Sequence, residues 1–198
     1  MQPHSSMTGG LYFDDMFTPV SPLFPFGHGL AYTNFSYGTP VATISDAFDS
    51  GSALEVRVNT SFTVQVPVQN TGNTPSSTVV FVTFGTQPEG VLRWQRGLAG
   101  YARTGALAPG EKANIPVEVL PAEAFARWPM PWERSEDESA APPGAVLPLE
   151  AGEGYVVDAG DYTLFAGGCV GGGGNWKEAS PCQVQSVQVQ LVGGAEFA

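Results

Sequence analysis

The chain has 198 residues, 42% of them hydrophobic, which is enough for one domain with a real core. Its 25 Gly and 17 Pro leave little room for long helices and point to an all-β fold. A formal charge of −11, from 19 acidic against 8 basic residues, excludes nucleic acid and anionic membrane surfaces as partners, because both need a positive face; neutral ligands such as sugars stay open.

Residues 1–21 read as a tether rather than a domain. Met1-Gln2-Pro3-His4 lacks the basic start and apolar run of a signal peptide, and no stretch approaches the roughly 20 apolar residues of a membrane span. Leu11-Tyr12-Phe13 and Met16-Phe17 supply apolar anchors around Asp14-Asp15. Then comes Pro22-Leu23-Phe24-Pro25-Phe26-Gly27-His28-Gly29-Leu30-Ala31-Tyr32-Thr33-Asn34-Phe35-Ser36-Tyr37, a proline-braced aromatic turn running into an alternating strand. Its prolines fix φ, Gly27 and Gly29 permit angles closed to other residues, and the aromatics supply apolar area at small entropic cost. Such a segment is built to plug against another surface.

Further strands follow from period-two alternation. Leu54, Val56 and Val58 alternate with polar neighbours. Phe62, Val64, Val66 and Val68 form the clearest run, which stops at the turn cluster Asn70-Thr71-Gly72-Asn73; Pro67 is expected where no ladder donor is needed. Val79-Val80-Phe81-Val82-Thr83-Phe84 is apolar on both parities, so its outer face must also be covered. Leu107-Ala108-Pro109-Gly110-Glu111 is a turn leading into Ala113, Ile115, Val117 and Val119. Pro121 to Trp128 predicts a helix of about two turns. Tyr162 to Ala166 and Val184 to Val192 are the last strands.

Four blocks occur in a telling order: Val68-Gln69-Asn70-Thr71-Gly72, Leu98-Ala99-Gly100-Tyr101, Leu107-Ala108-Pro109-Gly110-Glu111 and Gly160-Asp161-Tyr162-Thr163-Leu164-Phe165-Ala166-Gly167. Together with the Pro-Phe-Gly turn, this set resembles the C-terminal fibronectin type III-like domain of family 3 glycoside hydrolases, the β-glucosidases and β-xylosidases. The resemblance implies an immunoglobulin/fibronectin type III-like β-sandwich of about seven to nine antiparallel strands over residues 22–194, with 1–21 as the linker from a missing catalytic domain. It also implies a non-catalytic accessory role in which the domain packs on and stabilises the catalytic domains and helps shape the sugar entrance; Phe24, Phe26 and Tyr32 are the candidate docking residues. A stand-alone module that binds carbohydrate or protein is the alternative. The parent enzyme is expected to be secreted; this chain's own compartment is not readable.

Residues 129–154 exceed the family pattern and read as an insertion loop with an acidic run, Glu133-Arg134-Ser135-Glu136-Asp137-Glu138, of the solvated kind. Trp132 and Trp176 are candidate sugar contacts, because an indole face stacks on a sugar ring; Trp128 is a third exposed indole. Cys169 and Cys182 bound a glycine-rich excursion and form a candidate disulfide if the protein is exported.

No residue is assigned a catalytic role. Glycoside hydrolysis ordinarily needs two carboxyl groups about 5–10 Å apart, and Asp14, Asp15, Asp158 and Asp161 qualify by residue type alone; the resemblance places the nucleophile and the acid in other domains. His4 and His28 make no zinc spacing with the cysteines, His28 reading as a packed turn residue, and the glycine run lacks the Gly-Lys-Ser/Thr of a phosphate loop. No metal or cofactor is expected. Asn34-Phe35-Ser36 and Asn59-Thr60-Ser61 match the N-glycosylation acceptor pattern of a secreted eukaryotic protein.

Overall fold

A computed structural model describes residues 26–44, 54–85, 97–127, 149–152, 155–169 and 184–192. They contain eleven strands and one short helix: β1 (Phe35–Tyr37), β2 (Val41–Thr43), β3 (Leu54–Arg57), β4 (Phe62–Asn70), β5 (Val79–Gly85), β6 (Gly97–Arg103), β7 (Lys112–Val119), α1 (Pro121–Ala124), β8 (Leu149–Gly152), β9 (Tyr155–Val157), β10 (Gly160–Gly167) and β11 (Val184–Val192). Two sheets face each other. In one, β4 pairs with β1 and β2 along its length and with β7; the other runs β3-β11-β10-β5-β6. The fold is an all-β sandwich, with β8 and β9 forming a separate two-stranded hairpin.

β4 is the spine of the first sheet. Its alternation is fully realised: Phe62, Val64, Val66 and Val68 are at most 2% exposed, and burying each stabilises by roughly 1.5–3 kcal/mol before chain entropy is counted. They share a core with Val80, Val82 and Phe84 of β5, Ile115, Val117 and Val119 of β7, and Tyr162 and Leu164 of β10. Pro67 costs the ladder nothing. β1 pairs with residues 68–70 and β2 with residues 63–65, so the missing N–H falls in the gap between them, where Gly38 N–H donates to the Pro67 carbonyl at 2.8 Å.

Several elements differ from the sequence expectations. β6 was not expected, because Gly97-Leu98-Ala99-Gly100-Tyr101-Ala102-Arg103 carries no alternation; it forms by pairing antiparallel with β5. Gly100 also brings β6 against β7, since a Cβ there would lie 2.8 Å from the Glu118 carbonyl oxygen. β3 pairs parallel with β11, an exception to the expected antiparallel set. The helix has one turn, Pro121–Ala124, rather than two, because Arg127 leaves it to bridge with Val156. Leu149–Gly152 at the end of the expected loop pair with β9 instead.

Arg127 and Val156 are pinned together. Arg127 and Val156 exchange backbone hydrogen bonds of 2.8 and 2.9 Å, and the Arg127 guanidinium grips the Asp158 carboxylate at 2.6, 2.8 and 3.1 Å. Both side chains are buried, 7% and 2% exposed. Beside them Phe125 stacks on Tyr162 at 4.7 Å, and Phe84 meets Phe125 edge-on at 4.9 Å.

The opposite end of the sandwich is held by Asn70, which is 0% exposed. Its Nδ2 donates to the carbonyls of Thr74 and Leu107, each at 2.9 Å. Its Oδ1 accepts from the Thr33 hydroxyl at 2.6 Å and from Gly72 N–H at 3.1 Å. Its main chain bonds Glu111 and Gly110. Three separate loops thus meet on one side chain.

Two outcomes follow for stability. Asn70→Ala leaves these buried partners unsatisfied and should lower the unfolding free energy by more than about 3 kcal/mol, whereas Gln69→Ala should cost less than about 1 kcal/mol; urea titration with an unchanged m-value checks the pair. Arg127→Met, which strands a buried carboxylate, should cost about 3–5 kcal/mol, and adding Asp158→Leu should recover much of it, a comparison that a double-mutant cycle reads directly.

Candidate docking surface

The segment from Phe26 to Thr33 is held at both ends and exposed in between. At its start the Phe26 ring lies edge-on to Phe81, with centroids 5.5 Å apart and planes at 67°. Gly27 follows with φ of +83°; a Cβ there would lie 2.7 Å from the Phe81 ring and 3.1 Å from Cys169 Cα. Only glycine makes this turn at this place. At the other end Thr33 is buried and bonded to Asn70, and Thr71 donates through its N–H and its hydroxyl to the Asn34 carbonyl at 2.8 and 3.1 Å.

Between these anchors, Leu30 is 98% and Tyr32 97% exposed. Phe26, at 65%, continues the apolar surface onto the outer face of the five-stranded sheet. Phe81 supports it there, and opposite Phe81 on β6 stands Tyr101, 68% exposed. Leu98, opposite Thr83, adds to the same strip. Exposed apolar side chains thus stand both on the loop and on the adjoining sheet face, a pattern that marks interaction surfaces.

The expectation that the outer face of β5 needs a cover is met at Phe81 by Phe26 and Gly27. Cys169, at the end of this contact, is disulfide-bonded. Beside it Gly168 abuts the hydroxyl of Tyr37, which sits 3.2 Å from Thr78 Oγ1. Burial pushes the Tyr37 phenol above its ordinary range, and the Thr78 hydrogen bond offsets part of that rise.

Of the candidate docking residues, Phe26 and Tyr32 lie in this surface, and Phe24 lies outside the described residues. So do Trp128, Trp132 and Trp176, Cys182, His4, Asp14 and Asp15. His28 is half-buried in the turn and Asp161 is exposed. Asp158 is engaged by Arg127, a structural use that its position in the sequence did not signal. Sequence reasoning also missed Tyr101 and Leu98, for which an exposed aromatic in a Leu-x-Gly-Tyr block was the only hint. Among the described residues no group of three His, Cys, Asp or Glu is placed to hold a metal, and no helix is long and apolar enough to cross a membrane.

No family model matches the chain. Over 138 residues, 68% of this chain, it is 32% identical to the protein named "Probable beta-glucosidase I" in Aspergillus clavatus, and the match takes up 15% of that protein. Over 99 residues it is 37% identical to a β-xylosidase from Formosa agariphila, 12% of whose length is matched. The chain is related to β-glucosidases and β-xylosidases. Two solved structures share the fold. The β-glucosidase from Erythrobacter marinus superposes with a TM-score of 0.59 at 24% identity, covering 89% of this chain and 18% of that one. The GH3 β-glucosidase from Bifidobacterium adolescentis gives 0.58 at 22% identity, with 90% and 20% covered. The chain thus spans about 15% of the length of the first of these relatives.

Gly27 and Gly29 offer a paired test of the turn. Gly27→Ala should destabilise by about 1–3 kcal/mol through a strained φ and a clash with Phe81. Gly29→Ala, whose Cβ would meet nothing within 4 Å, should be neutral; thermal unfolding of the two variants decides it.

Proposed function

We propose that this chain is the fibronectin type III-like accessory domain of a family 3 glycoside hydrolase of the β-glucosidase/β-xylosidase type. It is non-catalytic, and it stabilises the catalytic domains by docking on them through Phe24, Phe26, Leu30 and Tyr32, with Tyr101 and Leu98 extending the contact. The observation that carries this reading is the loop at residues 26–33. A chain does not fix two ends of a loop on a buried asparagine and a phenylalanine ring in order to leave Leu30 and Tyr32 in water. Burying each of these side chains would contribute roughly 1.5–3 kcal/mol, and aromatic anchors at the centre of an interface carry most of its energy.

The relatives support the same reading, because each matches this chain over only a minor part of its length. The disulfide at Cys169 favours an oxidising compartment, and so an exported parent.

The reading has a direct test. An antibody against the domain should detect, in source cells, a polypeptide several times the size of 198 residues, and that protein should hydrolyse aryl β-glucosides or β-xylosides. A band at the size of this chain alone overturns the reading. In the larger protein, Leu30→Ser with Tyr32→Ser should shorten the half-life at elevated temperature. In the isolated domain the same pair should change stability by no more than about 0.5 kcal/mol per residue, since both side chains are solvated there.

A further inference from the structure

The sequence holds two N-glycosylation acceptor patterns, and the fold places them at opposite ends of β4. Asn34 directly precedes β1, two residues from Tyr32 and bonded through its carbonyl to Thr71. Asn59 lies in the turn between β3 and β4, closed by a 3.0 Å hydrogen bond from Thr60 N–H to the Arg57 carbonyl. At about 3.3 Å per residue, the strand from Phe62 to Asn70 separates the two ends by about 26 Å.

We propose that Asn59 is an N-glycan acceptor. The acceptor pattern is joined there by two further observations. Asn59 is exposed at the tip of a tight turn, while its neighbour Val58 is 3% exposed and anchored, its carbonyl accepting from Ala122 N–H at 2.9 Å. A glycan on Asn59 therefore projects into solvent without displacing a packed group. Ser61, two residues on, supplies the hydroxyl that the acceptor pattern requires. The disulfide at Cys169 is the kind of bond that persists in oxidising, exported settings, where this modification is also made.

The transfer itself balances simply. The Asn59 side-chain nitrogen attacks the anomeric carbon of a polyprenyl-diphosphate-linked oligosaccharide; a C–N bond forms, the anomeric C–O bond breaks, the lipid diphosphate leaves, and the amide gives up one proton. Asn34 is also exposed, but it lies two residues from Tyr32, beside the proposed docking surface.

The test is secretion of the 198-residue chain from yeast or insect cells, with intact mass measured before and after peptide-N-glycosidase and the modified residue mapped by its conversion to Asp. Modification at residue 59, with that part of the glycosidase-sensitive mass lost completely in both Asn59→Gln and Ser61→Ala, supports the proposal. A secreted protein whose residue 59 is unmodified overturns it, whatever the state of Asn34. Docking is read by stability in the larger protein, so neither result bears on that assignment.

Discussion

The fold depends on a single buried amide. Asn70 ends the central strand of the first sheet, and four side-chain hydrogen bonds tie it to Thr33, Gly72, Thr74 and Leu107. Asparagine suits this position because it offers two donors and a two-lone-pair acceptor on a short, stiff stem. Aspartate would present acceptors to the Thr74 and Leu107 carbonyls, which are acceptors themselves, and glutamine would reach too far. Through this residue the entry segment, the β4–β5 turn and the turn before β7 are fixed relative to one another. Thr33, held on Asn70, anchors one end of the loop at residues 26–33, and Phe26 and Gly27 against Phe81 anchor the other.

This arrangement gives physical content to the blocks from which the family resemblance was read. In Val68-Gln69-Asn70-Thr71-Gly72, Asn70 is the junction, and Gly72 is small because a Cβ would overlap Thr33. In Leu107-Ala108-Pro109-Gly110-Glu111, the Leu107 carbonyl accepts from Asn70, Gly110 turns with φ of +79°, and Glu111 closes the turn by accepting from Ala108 N–H at 2.7 Å. In Leu98-Ala99-Gly100-Tyr101, Gly100 lets two sheet edges meet. In Gly160-Asp161-Tyr162, Gly160 has φ of +134° and Tyr162 is 0% exposed, its hydroxyl donating to the Asp158 carbonyl at 2.9 Å. These are residues of folding. They specify the sandwich and not a reaction, which is why such motifs carry the fold with more authority than they carry an activity.

How much was legible follows from whether a signal is local. β4, β5, β7 and β10 could be read because each has its own alternation or apolar run, and the turns because glycine and proline act on their own neighbours. β6 could not, since its strand state is imposed by β5. The parallel partner of β3 is a tertiary choice that no property of Leu54–Arg57 encodes. Arg127 and Asp158 stand 31 residues apart in sequence, and each alone looks like an ordinary surface charge. The exposed apolar surface was half visible: the aromatic turn announced itself, but Tyr101 and Tyr162 are both strand tyrosines in motif blocks, and only the sheet decides that one is solvated and the other buried.

The two ends of the sandwich therefore carry different loads. At the β3–β4 end, α1, the aromatic cluster and the Arg127–Asp158 pair bury their polar and apolar groups among themselves; in that bidentate, water-excluded pair the Asp158 carboxylate is a fixed counter-ion to the guanidinium, occupied on both oxygens. At the Asn70 end the polar groups are satisfied within the domain while Leu30 and Tyr32 are almost wholly exposed and Phe26, edge-on to Phe81, stays largely so. In such a domain stability and the exposed apolar side chains are coupled: loosening Asn70 frees Thr33, and with it the geometry of Leu30 and Tyr32. Binding at this surface would in turn hold Thr33 on Asn70 and raise the stability of the sandwich by linkage, so the module and whatever it docks on would stabilise each other through the same residue.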